Sequence, residues 1–174
     1  VTISFYIQDV INNQNKIERG VLIESLMKAQ ASGQLKGIYG RLGDLGSIDS
    51  KFDVAISTAC SHLNSILVDK VEHAQKAIEF LRAKELGRST FIILEKQLYL
   101  ESRMNSFSEV QDSKRLFDLI NVPNKRLLPA FYFALKDTLV THDLPTAQKI
   151  SFGKSQSYSI ICNTCFIYSI FICF

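Results

Sequence analysis

The chain has 174 residues, 47% hydrophobic and 21% charged, which excludes wholesale disorder and fits one domain or two small ones. A net charge of +3 permits nucleic-acid contact without announcing it. Three of the four cysteines (Cys162, Cys165, Cys173) lie in the last 13 residues and the fourth is Cys60, a distribution that argues against a disulfide-stapled secreted scaffold.

In chain order, Val1 to Ile11 (VTISFYIQDVI) is rich in β-branched and aromatic residues. No charged n-region precedes an apolar segment, so a signal peptide is not expected. From Ile17 to Ala31, apolar residues at 22, 26 and 29 predict a helix that stops at Ser32-Gly33. A glycine ladder follows: Gly37, Gly40, Gly43 and Gly46 in GIYGRLGDLGSID. The uniform spacing of three fits neither a dinucleotide fingerprint nor a Walker A loop, and four triplets without proline cannot hold a triple helix. The ladder reads as a strand and turn where another backbone approaches closely.

Asp49 is expected to cap a helix running to about Cys60, with Phe52, Ile56 and Ala59 on one face. Ser65 to Val68 reads as a strand. Asp69 and Glu72 resemble a capping box ahead of a helix over Lys70 to Leu86 that turns Val71, Ala74, Ile78 and Leu81 inward and stops at Gly87. Thr90 to Leu94 reads as a buried strand. Residues 95–115 are polar with weak periodicity and read as a linker. Beyond it, Leu116 to Val122 is predicted as a strand, Lys125 to Leu135 as a helix and Thr138 to Thr141 as a strand. Asp143 is placed as the cap of a helix with Pro145 in its first turn, and Tyr158 to Cys162 as the next strand.

A faint repeat runs through these elements. Ile66 to Lys76 aligns with Leu139 to Lys149 at a constant offset of 73, each ending in Ala-Gln-Lys and each reading strand, turn, helix. Alternating strands and helices imply an α/β (α+β) layer architecture in two related subdomains.

The tail differs from the rest. Ser155 to Phe174 carries no charge in 20 positions, and 13 of the 17 residues from Tyr158 onward are apolar or cysteine. Three readings stand: a membrane span, a buried strand followed by an unnatural end, and translated non-coding sequence. We favour the last two together, because nothing basic or aromatic flanks the far side of the segment. Its composition is that of an aggregation-prone strand, with no assigned partner beyond Cys162.

Catalytic sets fail on spacing. Cys60 and His62 do not face each other on a helix and lack an orienting third group, so they read as an inert buried thiol beside a surface imidazole. His73 reads as solvated on an amphipathic helix, and His142 as part of a turn. Cys162-x-x-Cys165 has zinc or redox spacing but lacks two further ligands and polar flanks, so no metal site is assigned. The acidic residues show no acid/base pair. The basic doublets Lys114-Arg115 and Lys125-Arg126 are candidates for phosphate contact.

Several motifs resemble one family. Gly37 to Asp49, with Lys51-Phe-Asp-Val-Ala-Ile-Ser57, closely resembles the hinge domain of structural-maintenance-of-chromosomes (SMC) proteins, most like the condensin core subunit of the fourth SMC class. Gly87-Arg-Ser-Thr-Phe-Ile-Ile-Leu94 is similar to a family strand. Arg115 to Ile120, Ala130 to Val140 and Asp143 to Gln148 also look like condensin, the motifs falling in order over about residues 21–153. The resemblance implies two pseudo-symmetric subdomains of mixed sheet and packed helices, inserted in a long antiparallel coiled coil.

Placed on this sequence, residues 1–32 are the end of the entering coiled coil, a short helix whose first fifteen positions lack polar heptads. Residues 33–94 are hinge subdomain I, 95–115 a linker, 116–162 an incomplete subdomain II and 163–174 an atypical hydrophobic tail. Gly37, Gly40, Gly43, Gly46 and Gly87 are the motif's structural glycines. The implied function is a dimerisation module of a condensin-type chromosome-condensing complex in the nucleus, on chromosomes. The implied partner is the hinge of the second condensin SMC subunit, with DNA contact through Lys114, Arg115, Lys125 and Arg126. ATP and magnesium belong to head domains at the far ends of full-length members, as do contacts with non-SMC condensin subunits. This chain is therefore expected to be no enzyme and to hold no cofactor. After Cys162 the sequence departs from the family's glycine-rich interface segment, which bears on dimerisation. The alternative is a small membrane-tethered α/β domain anchored by residues 155–174.

Overall fold

A computed structural model describes residues 19–153, 159–162 and 169–170, with residues 152–153 and 169–170 as backbone only. The readings of residues 1–18, Tyr158, Cys165, Cys173 and most of the 163–174 tail lie outside the described residues. The chain packs as two units, 1–41 with 65–95 and 42–64 with 96–174.

In the first unit, helix α1 (residues 19–31) places Leu22, Leu26 and Ala29 on one stripe, and all three are buried. The helix stops where expected: Gly33 takes φ +78° and donates its N–H to the Gln30 carbonyl at 3.0 Å. Strand β1 (Ile38–Arg41) pairs antiparallel with β2 (Ile66–Val68), which pairs parallel with β3 (Phe91–Ile93). All three residues of β2 are buried, the pattern of a strand with both faces covered. Helix α3 (Val71–Ala83) and α1 share one core with this sheet, Ala74, Ala77 and Leu81 of the one and Leu22 and Leu26 of the other clustering with Ile66 and Val68.

Two expectations for α3 are corrected. Ala77 faces inward and Ile78 faces out at 42% exposure, because the apolar stripe follows 74, 77 and 81. Lys70, not Asp69, takes the cap position, and no side-chain cap bond forms. The Asp69 carboxylate instead accepts from the Tyr39 hydroxyl at 3.4 Å, while its N–H donates to the Gly37 carbonyl at 2.8 Å.

The end of α3 is also not at Gly87. Leu86 N–H donates to Leu81 O at 3.0 Å and Glu85 N–H to Arg82 O at 3.2 Å, a Schellman closure with Glu85 at φ +54°. A residue with a Cβ pays to sit there, so Glu85→Gly is expected to stabilise the chain by about 0.5–1 kcal/mol, net of the added unfolded-state freedom. Urea unfolding reads this directly, and a lower midpoint for the variant would contradict it.

In the second unit, strand order is β4 (Lys114–Arg115), β5 (Leu139–Thr141), β6 (Ile160–Cys162), β7 (Ser169–Ile170). The pairings run antiparallel, parallel, antiparallel. The unit also holds α2 (Asp53–Ala59), α4 (Glu101–Met104), α5 (Leu128–Leu135) and α6 (Leu144–Gly153). Asp49 caps a 3-10 turn (Ser50–Phe52) by accepting from Lys51 N–H, and α2 continues from it, with Ala55 its most deeply buried residue. Asp143 accepts the Thr146 N–H at 2.9 Å, as a cap does, and that bond holds its carboxyl below the ordinary range.

The stretch read as a linker is largely built into this unit. It contains a 3-10 segment (Glu95–Leu100), α4 and β4, and it buries Leu100, Met104, Val110 and Arg115. Leu116–Leu119 is a 3-10 turn rather than a strand, and the strand lies just before it in Lys114–Arg115. Segment 42–64 packs with this second unit, whereas the contiguous boundaries placed it in the first half. Of the tail, Ser169–Ile170 lies antiparallel on β6, so this part of it has a partner.

The two halves repeat more fully than the sequence alignment suggested. Ile66 is flanked by Arg41 (antiparallel) and Phe91 (parallel), and its counterpart Leu139 by Arg115 (antiparallel) and Ile160 (parallel). After each of β1 and β4 comes the same run, Arg41-Leu-Gly-Asp-Leu45 and Arg115-Leu-Phe-Asp-Leu119, in a 3-10 turn. Then comes an Asx-capped 3-10 turn, with Asp49 taking Lys51 N–H and Asn124 taking Arg126 N–H, each running into a helix. The order strand, 3-10, 3-10, helix, strand, helix, strand is thus written twice. Ser47 and Asn121, each six residues past its arginine, bond reciprocally at 2.9 and 2.8 Å.

Candidate functional site

The glycine ladder is held by different neighbours at each step. Gly37 has φ +69°, and a Cβ there would stand within 2.8 Å of His73 Cγ and closer still to Nδ1. Gly40 lies at the bulge in β1, where the space is open. Gly43 donates to the Leu63 carbonyl at 2.9 Å, and a Cβ would meet that same oxygen at 3.2 Å. At Gly46 the neighbour is the Phe131 ring, 3.0 Å from a would-be Cβ. Gly87 has open space. Close backbone approach therefore holds at Gly43, while side-chain rings press on Gly37 and Gly46.

His73 is corrected accordingly: it is half-buried over Gly37, and its Nδ1 is buried without a hydrogen-bond partner. Cys60 is buried as expected, and burial pushes its thiol pKa up, the reverse of an activated nucleophile. His62 is half-buried with its ring 5.5 Å from that of Phe133. Among the described residues no group of three or more His, Cys, Asp or Glu side chains could hold a metal ion.

Arg115 is the densest polar centre. β4 ends on it, and the 3-10 turn that follows brings Asp118 back beside it. Its Nε and Nη2 donate to the two Asp118 oxygens at 2.8 and 2.6 Å. Nη1 donates to the Met104 carbonyl at 3.0 Å and to Asp137 at 3.3 Å. Phe107 and Phe117 stack on the guanidinium at 4.5 and 5.2 Å. The side chain is only 7% exposed. Burial opposes its charge, but Asp118 and Asp137 outweigh it and hold the pKa above the ordinary arginine value.

The fork geometry explains why arginine stands here, since only guanidinium serves a bidentate carboxylate and a carbonyl together. It also removes Arg115 from the DNA-contact candidates, because four of its five N–H donors are spent inside the protein and the side chain is buried. Lys114, Lys125 and Arg126 remain exposed.

Tyr132 completes the network, donating its hydroxyl to Asp137 at 3.0 Å. Burial and that carboxylate raise its pKa above the ordinary 10.0. The bond exists only in the protonated form, so its support is present at neutral pH and is lost as pH rises through the raised folded-state value. A spectrophotometric titration at alkaline pH is expected to show one tyrosine lagging, with the lag shortened in Asp137→Asn. Six tyrosines titrating together would contradict this.

A strand–turn–helix–strand–helix–strand unit written twice, each copy with one parallel and one antiparallel pairing about its central strand, is the architecture of a hinge domain. The family model for the SMC proteins flexible hinge domain matches residues 35–151, and the chain belongs to that family. Structural maintenance of chromosomes protein 4 of Xenopus laevis is 41% identical over 143 residues, 82% of this chain and 11% of the relative. The chain thus spans about a tenth of the length of the curated relatives it matches. The Pyrococcus furiosus Smc hinge domain with an extended coiled coil superposes with a TM-score of 0.69 at 25% identity, covering 90% of this chain and 54% of that one. The asymmetric dimer of the Geobacillus stearothermophilus SMC hinge domain gives 0.62 at 20% identity, covering 91% and 69%. Among the described residues, no helix is long and apolar enough to cross a membrane.

Proposed function

We propose that this chain is a structural dimerisation module of a condensin-type chromosome-organising complex, acting in the nucleus on chromosomes. The observation that carries the reading is the 41% identity to a protein 4 relative over 82% of the chain, within the SMC hinge family. The partner is the hinge of the second condensin SMC subunit. The module performs no catalysis of its own; ATP and magnesium chemistry is assigned to the heads of full-length relatives. Sedimentation velocity of the chain alone and mixed with a partner hinge tests the proposal. A shifted boundary at equimolar mixing is expected. If the chain fails to bind any SMC hinge even with the family's glycine-rich segment restored after Cys162, the proposal is wrong.

DNA contact is carried by the exposed Lys114, Lys125 and Arg126. Replacing all three with glutamine is expected to shallow the log–log salt dependence of duplex binding by roughly 2–3, since each phosphate neutralised contributes about 0.9. An unchanged slope would move DNA contact elsewhere or remove it.

A further inference from the structure

The second unit contains an open cleft of about 690 Å³, within the range of roughly 300–1,000 Å³ usual for ligand sites. Its wall carries Arg103, Lys136, Ser106, Ser108, Tyr99 and Phe133, together with Asp137. Asp137 accepts from Arg115 and Tyr132, but Arg115 is held first by Asp118, so the Asp137 carboxylate is only partly neutralised by the network behind the wall. Arg103 and Lys136 form no ion pair among the described residues. The cleft thus holds two cations without an ion-pair partner against one shared carboxylate, a net positive lining, with Ser108 on the same wall.

Lys136 supplies a second, independent observation. It ends α5 at φ 50° and ψ −139°, a backbone conformation suited to glycine. A strained residue kept where glycine would relax it points to a use for the side chain. The aromatic part of the cleft is open as well: Tyr99 is 70% exposed, so its ring face is accessible to a ligand.

We propose that this cleft binds a phosphomonoester carried on a peptide, with Arg103 and Lys136 on the phosphoryl oxygens and Tyr99 and Phe133 against a neighbouring apolar side chain. The signs match: a phosphoserine or phosphothreonine carries about −1.5 to −2 at neutral pH, and two cations against one shared carboxylate leave the lining net positive. The Ser108 hydroxyl supplies a further donor to its three oxygens, whereas Ser106 already donates to the Arg103 carbonyl at 3.0 Å. A nucleic-acid strand fits less well, since its affinity comes from a track of cations along successive phosphates and the cleft has two.

The test titrates the full 174-residue chain with inorganic phosphate, with a phosphoserine nonapeptide bearing leucine and phenylalanine neighbours, with its unphosphorylated form, and with a single-stranded oligonucleotide. The phosphopeptide is expected to bind more tightly than phosphate, and the unphosphorylated form not to bind. Arg103→Gln and Lys136→Gly should each weaken phosphopeptide binding about tenfold, the loss of one charge-assisted bond. Lys76→Gln, exposed on α3 in the first unit and outside the cleft, should leave it unchanged. Lys136→Gly should at the same time raise the thermal midpoint by roughly 2–4 °C as strain is relieved, a gain in stability with a loss of binding. Absence of phosphopeptide binding overturns the proposal, as does binding indifferent to both cleft substitutions. An oligonucleotide that binds while the phosphopeptide does not, and is lost in the same two variants, assigns the cleft to nucleic acid instead.

Discussion

Replacing Arg115 with methionine is expected to destabilise the chain by about 3 kcal/mol, the scale for removing one partner of a buried ion pair. The cost is set by what stays behind. Asp118 is half-exposed and recovers water, while Asp137 is 31% exposed and recovers it only in part. The Met104 carbonyl loses a donor within a buried neighbourhood. Lysine is expected to rescue little, because one ammonium cannot serve both Asp118 oxygens along two parallel bonds and also reach Met104. Denaturant midpoints of Arg115→Met and Arg115→Lys read this, and a lysine variant as stable as the parent would show that charge alone suffices. DNA affinity, compared where both proteins are folded, should not change, since the guanidinium never faces solvent.

Gly37→Ala should cost about 3 kcal/mol, from two separable sources. The left-handed backbone costs an L-residue roughly 1–2 kcal/mol. The rest is overpacking against the His73 imidazole. A double-mutant cycle separates them: in a His73→Ala background the ring is gone, and only the backbone cost should remain. Gly40→Ala provides the comparison, with φ +118° but open space around the would-be Cβ. If Gly37→Ala costs the same with and without His73, the ring shifts freely and the packing part of the argument is lost.

How much of this was legible in sequence depends on the distance over which each feature is encoded. α1 was readable because three apolar positions at helical spacing report a buried stripe within its own residues. β2, β3 and β5 were readable as short apolar runs bounded by polar turns. The Asp143 cap was readable because cap, proline and helix are adjacent. Leu116–Leu119 was misread because four residues with buried leucines look the same in a strand as in a 3-10 turn. Ile78 was misplaced because alanine hides in a hydrophobicity count, and the inward stripe runs through Ala74 and Ala77.

The site was less legible than the fold. Arg115 read as one half of a basic doublet, since nothing local shows that Asp137 and the Met104 carbonyl converge on it from distant segments. One signal was available: Arg41-Leu-Gly-Asp-Leu45 recurs as Arg115-Leu-Phe-Asp-Leu119, which places Arg115 and an aspartate three residues on inside a repeated motif. The cleft left no trace, because Tyr99, Arg103 and Lys136 are scattered along the chain and meet only in the folded unit.

The reciprocal bonds between Ser47 and Asn121 join equivalent positions of the repeated unit. They are made by backbone N–H and C=O groups and read no side chain, so the two copies can accumulate different residues without losing the join. Gly43 in one copy corresponds to Phe117 in the other, and Gly46 to Ile120, on the segments that lead into it. The join therefore behaves as a seam: the cloth differs on either side and the stitch is the same.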